Sequence, residues 1–356
     1  MTKQRLFLDV HAIQVLPPSN VNRDDTGSPK TAQFGGVTRA RVSSQAWKRA
    51  MRQYFSEHSD VSLGVRTKHI VDYIADLIVK ADSSISPEEA RKKAVGAVNL
   101  AGIKLDKDNN AKALFFLGRK QAEEVAKAAI AGDLTKEKAK ELLKSHPDVD
   151  IALFGRMVAD DPSMNEDASA QVAHAISTHA INTDYDYFTA IDENPNPEDQ
   201  AGARMIGTIE FDSSTLYRYA NISVHELLRQ LEGDISETGE ACKLFVEAFA
   251  KSMPSGKINT FANTTLPVAL MVNLRSDRPV SLVSAYEKPV VSQKGYADES
   301  VKRLFEELTK SEAFVDKPIL TLYISPDEVA EATEGKCESN LNDLLAELGQ
   351  KIEESL

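Results

Sequence analysis

The chain has 356 residues, 42% of them hydrophobic, and its 42 Lys+Arg against 54 Asp+Glu give a formal net charge of −12. That length suits about two domains of roughly 150 residues, or one domain with a large insertion. No run of about 18 apolar residues is present to span a bilayer as a helix, and the acidic sum excludes a uniformly basic nucleic-acid binder.

Met1 to Arg5 runs straight into a strand-like segment and not into the apolar stretch of a signal peptide. Arg5 to Val15 alternates, with Leu6, Leu8, Val10 and Ala12 on one side, and predicts a half-buried strand that ends at Pro17-Pro18. A turn-rich loop follows through Asn20, Asn22, Gly27, Pro29, Gly35 and Gly36, and Ser43-Ser44 then supplies N-cap residues for a helix to about Phe55. From about Arg66 to His179 the pattern is mostly helical and highly charged, with breaks at Ser86-Pro87, Gly102, Gly132 and His146-Pro147. Ile206 to Phe211 and Thr215 to Ile222 predict a hairpin around Asp212-Ser213-Ser214. Helix is expected from about Ser223 to Met253 with a break near Gly233. Strands are expected at Leu266–Leu274, Val280–Glu287 and Ile319–Ile324.

Removing the helical middle leaves strand, helix, strand, strand, helix, strand, which is the ferredoxin-like or RNA-recognition-motif order. The expected fold class is therefore α+β, with a large helical insertion after the first helix. The two cysteines, Cys242 and Cys337, form no CxxC pair. That argues for a reducing, cytoplasmic setting and against disulfides or a structural zinc.

The charge is unevenly placed. Between Asn20 and Arg52 the basic residues Arg23, Lys30, Arg39, Arg41, Lys48, Arg49 and Arg52 face only Asp24 and Asp25, a net +5, whereas Ser325 to Leu356 carries nine acids and two lysines, a net −7. On a helix, Lys48 and Arg52 stack four residues apart with Arg49 beside them, while Trp47, Met51 and Phe55 share another face. Ser43, Ser44 and Gln45 stand at the helix start, where free N–H groups and the macrodipole favour a phosphate. A solvated basic face would have the same charge pattern. The preceding loop favours a polyanion site instead, because Asn22-Arg23 adds donors and Phe34-Gly35-Gly36 allows close backbone approach.

Asn22-Arg23-Asp24, Phe34-Gly35-Gly36, Arg41-Val42-Ser43-Ser44-Gln45 and Lys48-Arg49-Ala50 resemble the N-terminus of the CasC family. That family is the guide-RNA-binding backbone subunit of the type I-E CRISPR surveillance complex, Cascade. Matching stretches continue in order at Asp150 to Met157, Ala173 to His179, Asp186 to Ala190, Tyr217 to Asn221, Met271-Val272-Asn273 and Ala285 to Lys288. The resemblance is weakest over residues 56–145 and at the C-terminus.

It implies a hand-like subunit, with a palm built from residues 1–55 and 206–356, helical fingers over 56–180 and a thumb hairpin over 181–212. The thumb itself would run from about Thr189 to Ile209 through the tip Glu193 to Asp199. It further implies copies stacked along one guide RNA, with target DNA paired to the guide and with large, small and guide-end-capping subunits as further partners. The expected RNA contacts are Asn22, Arg23, Lys30, Gly35, Gly36, Arg39, Arg41, Ser43, Gln45, Lys48, Arg49 and Arg52. Met157, Phe188 and Thr189 would flank a kinked base. Family members can have a denser basic run after the glycine pair, so the choice between Arg39 and Arg41 stays open. By spacing alone Met157 follows Leu153 and would suit a core; Phe188, among polar neighbours, is less core-like. Aromatic stacking, worth roughly 1–3 kcal/mol per base, gives an exposed Phe a purpose.

No enzyme, cofactor or metal is expected: P-loop, GxSxG, HExxH and dinucleotide motifs are all missing. His174 and His179, five apart, are expected to be structural. The alternative is a ferredoxin-like ribonuclease, with His11 as general base or Asp24 as part of a metal site.

Overall fold

A computed structural model of the chain describes residues 5–158, 161–190, 205–326 and 335–356. At its centre is β1 (Phe7–Ser19), whose alternation sends Leu8, Val10 and Ala12 to one face of a sheet and His11 and Ile13 to the other. Pro17 and Pro18 do not end this strand. Its ladder reaches Ser19 after a register shift beyond Leu16, the kind of irregularity that accommodates residues with no N–H to donate. Within the expected loop, β2 (Thr31–Phe34) and β3 (Val37–Val42) form a hairpin. Gly35 and Gly36 make its two-residue turn with φ of +60° and +78°, the positive-φ pair that matches strand twist.

α1 (Ser44–His58) buries Trp47, Ala50, Met51 and Phe55. The insertion then opens with β4 (Val65–Thr67), which pairs with β5 (Phe115–Leu117) as a separate ribbon. Around it α2 (Ile70–Ala81), α3 (Pro87–Leu100), α4 (Arg119–Ala131) and α5 (Lys136–Leu142) enclose their own core, including Ile74, Ile78, Val98 and Val125. The breaks fall at the expected residues: Ser86 caps α3 ahead of Pro87, and Gly132 closes α4 in the left-handed conformation.

After α6 (Val149–Phe154), the stretch expected to be helical contains β6 (Ala170–Val172) and β7 (Ala175–Ser177). Then come β8 (Asp184–Ala190) and the 19-residue β9 (Met205–Ser223). The hairpin expected around Asp212-Ser213-Ser214 is absent, because these residues lie inside β9. Asp212 and Ser214 pair with Ser19 and Leu16 of β1, and that long ladder overrides the local turn preference. The hairpin instead joins β8 to the first part of β9, from Asp184↔Phe211 to Ala190↔Met205. The tip expected at Glu193 to Asp199 lies outside the described residues.

α7 (Val224–Gln230) and α8 (Ile235–Lys251) separate at Gly233, as expected; α9 (Ile258–Phe261) and β10 (Pro267–Arg275) follow. The strand expected at Val280–Glu287 is instead a segment ending in a 3-10 turn, Val283–Tyr286. Its backbone bonds to side chains: Val280 N–H donates to Asp9 and Leu282 N–H to the Tyr217 hydroxyl, so no ladder forms. α10 (Ala297–Ser311), β11 (Leu320–Ile324), β12 (Lys336–Cys337) and α11 (Leu341–Ser355) complete the described chain.

The sheet runs β12-β11-β10-β1-β9-β7-β3-β2 and is antiparallel except between β11 and β12. β6 also pairs with β9, next to β7. The α+β, ferredoxin-like order is therefore present, but as β1, α1, β6/β7, β9, α8, β10. One face is covered by α1, α8 and α11 through Phe55, Phe245, Phe249 and Leu348. The other face is covered by Tyr286 and by Val301, Leu304 and Phe305 of α10, packed over Ile13, Tyr217, Met271 and Tyr323. No described helix is long and apolar enough to cross a membrane.

Candidate nucleic-acid interface

An RNA-recognition motif stacks bases on aromatics of its open sheet face. Here that face is closed by α10, which leaves no open aromatic sheet surface there, and the cations gather at α1. The helix is seated by its inner face. The Arg218 guanidinium lies 3.6 Å from the centroid of the Trp47 ring and donates to Gln14 and to the Phe249 carbonyl. Burial pushes its pKa down to about 9. The loop before α1 is tied to it by Asn22, whose Oδ1 accepts from the Ser43 N–H at 2.8 Å. Asn22 thus orders the helix start, and Ser43 is buried there as N-cap. No acid occupies the first turn to neutralise the positive end of the helix.

The helical period divides the expected cations. Gln45, Arg49 and Gln53 lie exposed along one stripe. Lys48 and Arg52 turn toward the insertion, where Lys48 Nζ lies 5.9 Å from the Phe154 ring centroid and Arg52 lies over Phe116 at 4.3 Å. Arg52 is ion-paired with the buried Asp150 at 3.1 Å. Lys48 has no carboxylate partner among the described residues, and its partial burial pushes its pKa down.

The hairpin separates Arg39 from Arg41. Arg39 is fully buried, and its guanidinium donates to the carbonyls of Phe34, Ser177, Tyr286 and Glu287. Gly35 lies against the same segment, where an added Cβ would meet the Glu287 carbonyl at 1.7 Å, whereas Gly36 faces open space. The close approach that Gly35 allows is therefore internal to the chain. Arg41 is partly exposed. It donates to the Thr31 carbonyl and lies 3.4 Å from His174 Nδ1, which also accepts from the Ser44 N–H. Partial burial and then the Arg41 and Lys30 charges push the His174 pKa down, favouring the neutral acceptor form.

Arg23, Asp24, Gln45 and Arg49 line an open groove of about 600 Å³ between the loop, α1 and residues 253–257. Met157, which spacing alone would assign to a core, is 81% exposed just beyond α6. Phe188 is half-buried on β8 and Thr189 exposed. The strand also displays Tyr185 and Tyr187, each 64% exposed, on the opposite face from Phe188. These aromatics were legible in the two-residue period of Asp184-Tyr185-Asp186-Tyr187 but are not among the expected contacts.

The residues of the nuclease alternative have other duties. His11 is buried with its Nδ1 3.0 Å from the Tyr217 hydroxyl, and burial pushes its pKa down to about 3, so it is neutral and shielded from any substrate. Asp24 Oδ1 accepts from the Thr26 N–H and hydroxyl and from the Ser28 N–H, holding its own turn. Among the described residues no group of three or more His, Cys, Asp or Glu side chains is placed to hold a metal.

The family model for CT1975-like protein matches residues 8–350. A solved chain described as "CRISPR RNA-guided surveillance complex, pre-nicking" is 33% identical. It superposes with a TM-score of 0.85, and the match covers 97% of this chain and 100% of that one. A second, "CRISPR RNA-guided surveillance complex", is 28% identical with a TM-score of 0.74, covering 96% and 99%. No curated protein matches.

Proposed function

This chain belongs to the CT1975-like protein family, and we propose that it is a non-catalytic, guide-RNA-binding backbone subunit of a CRISPR surveillance complex. The observation that carries this reading is the set of exposed or half-buried cations beside the α1 N-terminus, Arg23, Lys48 and Arg49, which lack carboxylate partners among the described residues. A phosphodiester backbone supplies the missing anions, and the likeness to two surveillance-complex chains names the RNA.

In the finer reading the chain acts as a CasC-type subunit of a type I-E complex, in the cytoplasm. Asn22 and Ser43 order the helix start, while Arg23, Lys30, Arg41, Lys48 and Arg49 neutralise phosphates and Gln45 donates to them from the exposed stripe. Arg39, Gly35 and Arg52 support them from within the fold. Copies stack along the guide beside large, small and guide-capping subunits. Met157, Phe188 and Thr189 break the guide into short segments whose outward bases pair with target DNA, so pairing reads sequence and protein reads backbone.

The test is co-expression with a CRISPR transcript, nuclease trimming, and native mass spectrometry. A protected RNA whose length grows by a fixed increment per added copy is expected. A chain that purifies without RNA overturns the proposal.

A further inference from the structure

We propose that Lys257 is an RNA phosphate-binding residue on the second wall of the groove beside α1, which it shares with Arg23 and Arg49 of the first; the inference rests on the RNA-binding reading above. The groove has one wall in α1 and the 22–24 loop, and its other wall is the short segment 253–257 between α8 and α9. Two backbone features place that segment. Gly256 is pressed against the loop, so that an added Cβ would fall 2.2 Å from the Val21 carbonyl oxygen and 3.1 Å from that of Asn20. Only glycine fits there, and the contact holds the two walls together.

The next residue, Lys257, takes a left-handed backbone with φ +52° and ψ +23°. That conformation is strained for a residue with a side chain, and strain of this kind concentrates where a side chain has to be aimed. Lys257 lines the groove with Arg23 and Arg49, and none of the three has a side-chain hydrogen bond or ion pair among the described residues. Asp24, the carboxylate lining the same space, is engaged by Thr26 and Ser28 of its own turn. Three cations thus share one groove with a single carboxylate, so the groove keeps a net positive charge that an anionic chain would offset. The groove is polar and open along one side, which suits a passing phosphodiester chain better than an enclosed small molecule.

The experiment measures affinity of the full chain for a single-stranded RNA homopolymer across a salt series. Each lost phosphate contact lowers the slope of log affinity against log salt by roughly 0.7. Lys257→Gln is expected to lower it by about that much at unchanged melting temperature, and Lys257→Arg to restore it. Gly256→Ala, which keeps the charge but separates the walls, is expected to weaken binding as well. If Lys257→Gln keeps the wild-type slope while Arg49→Ala flattens it, the assignment of Lys257 is overturned and the RNA-binding reading stands. If the wild-type chain shows no salt-dependent RNA affinity, both are overturned.

Discussion

Phe188 and Gly207 face one another across the β8–β9 hairpin, so closely that a Cβ on Gly207 would lie 2.4 Å from the phenyl Cζ. An aromatic ring over a strand glycine fills the missing side-chain volume and fixes the ring's position, leaving Phe188 half-buried without belonging to a core. A ring held in that way can act as a wedge. If it marks each kink of the guide, Phe188→Ala removes one stacking contact of about 1–3 kcal/mol per kink. Gly207→Val displaces the same ring by steric conflict. Both variants should flatten a periodic pattern of base reactivity along the guide while the RNA remains bound. Chemical probing of the assembled complex checks this, with Met157→Ala alongside; undiminished periodicity in both variants would assign the distortion to other residues.

Arg39 and Arg41, two residues apart on β3, should separate stability from binding. Arg39→Ala strands four carbonyl acceptors that its guanidinium now satisfies, and should cost roughly 3 kcal/mol or more in denaturant unfolding. Arg41→Ala should leave the unfolding midpoint nearly unchanged and weaken RNA binding. The reverse assignment would show as a stable Arg39→Ala protein with lost affinity.

A similar division is expected within α1. Arg52→Ala leaves the buried Asp150 without its cation and should destabilise the fold by about 2–3 kcal/mol. Lys48→Ala and Arg49→Ala should each reduce the salt slope of RNA binding by roughly 0.7, with little effect on unfolding. Equal salt slopes for wild type and the Lys48→Ala, Arg49→Ala double variant would make this helix a solvated face.

The buried His11 imposes a pH dependence on stability. Its pKa falls from 6.5 to about 3 on folding, so between those values the unfolded chain binds a proton that the folded chain refuses. Its contribution is therefore complete above pH 6.5 and is lost as the pH falls, by about 1.4 kcal/mol per unit. Asp9 acts in the opposite sense: burial raises its pKa from 3.8 to about 7, so its contribution is present below pH 3.8 and is lost as the pH rises toward 7. Comparing wild type with His11→Gln at each pH cancels the Asp9 part. The difference between their unfolding free energies should shrink steadily from pH 6 to pH 4, and a constant difference would show that His11 is protonated in the folded chain.

Much was decided by local pattern. The alternation of Leu6, Leu8, Val10 and Ala12 specifies β1 and the residues it turns toward α1 and α8, although the expected half-buried strand is buried on both faces; Ser86-Pro87 and Gly132 bound helices of the insertion, and Gly233 parts α7 from α8. Each of these signals acts over a few residues. The cationic run from Lys48 to Arg52 was equally visible. Other features depended on neighbours distant in sequence. Asp212-Ser213-Ser214 has the composition of a turn, yet lies in a strand because β1 offers a ladder from nearly two hundred residues away. Val280–Glu287 has strand-like alternation, but its N–H groups find the Asp9 carboxylate and the Tyr217 hydroxyl first. The same holds for the site. Composition cannot distinguish a cation facing solvent from one surrounded by carbonyls, so only the tertiary structure separates Arg41 from Arg39 and Arg49 from Arg52. Lys257 joins Arg23 and Arg49 because Gly256 lets two distant backbone segments come into contact, a proximity that no local pattern encodes.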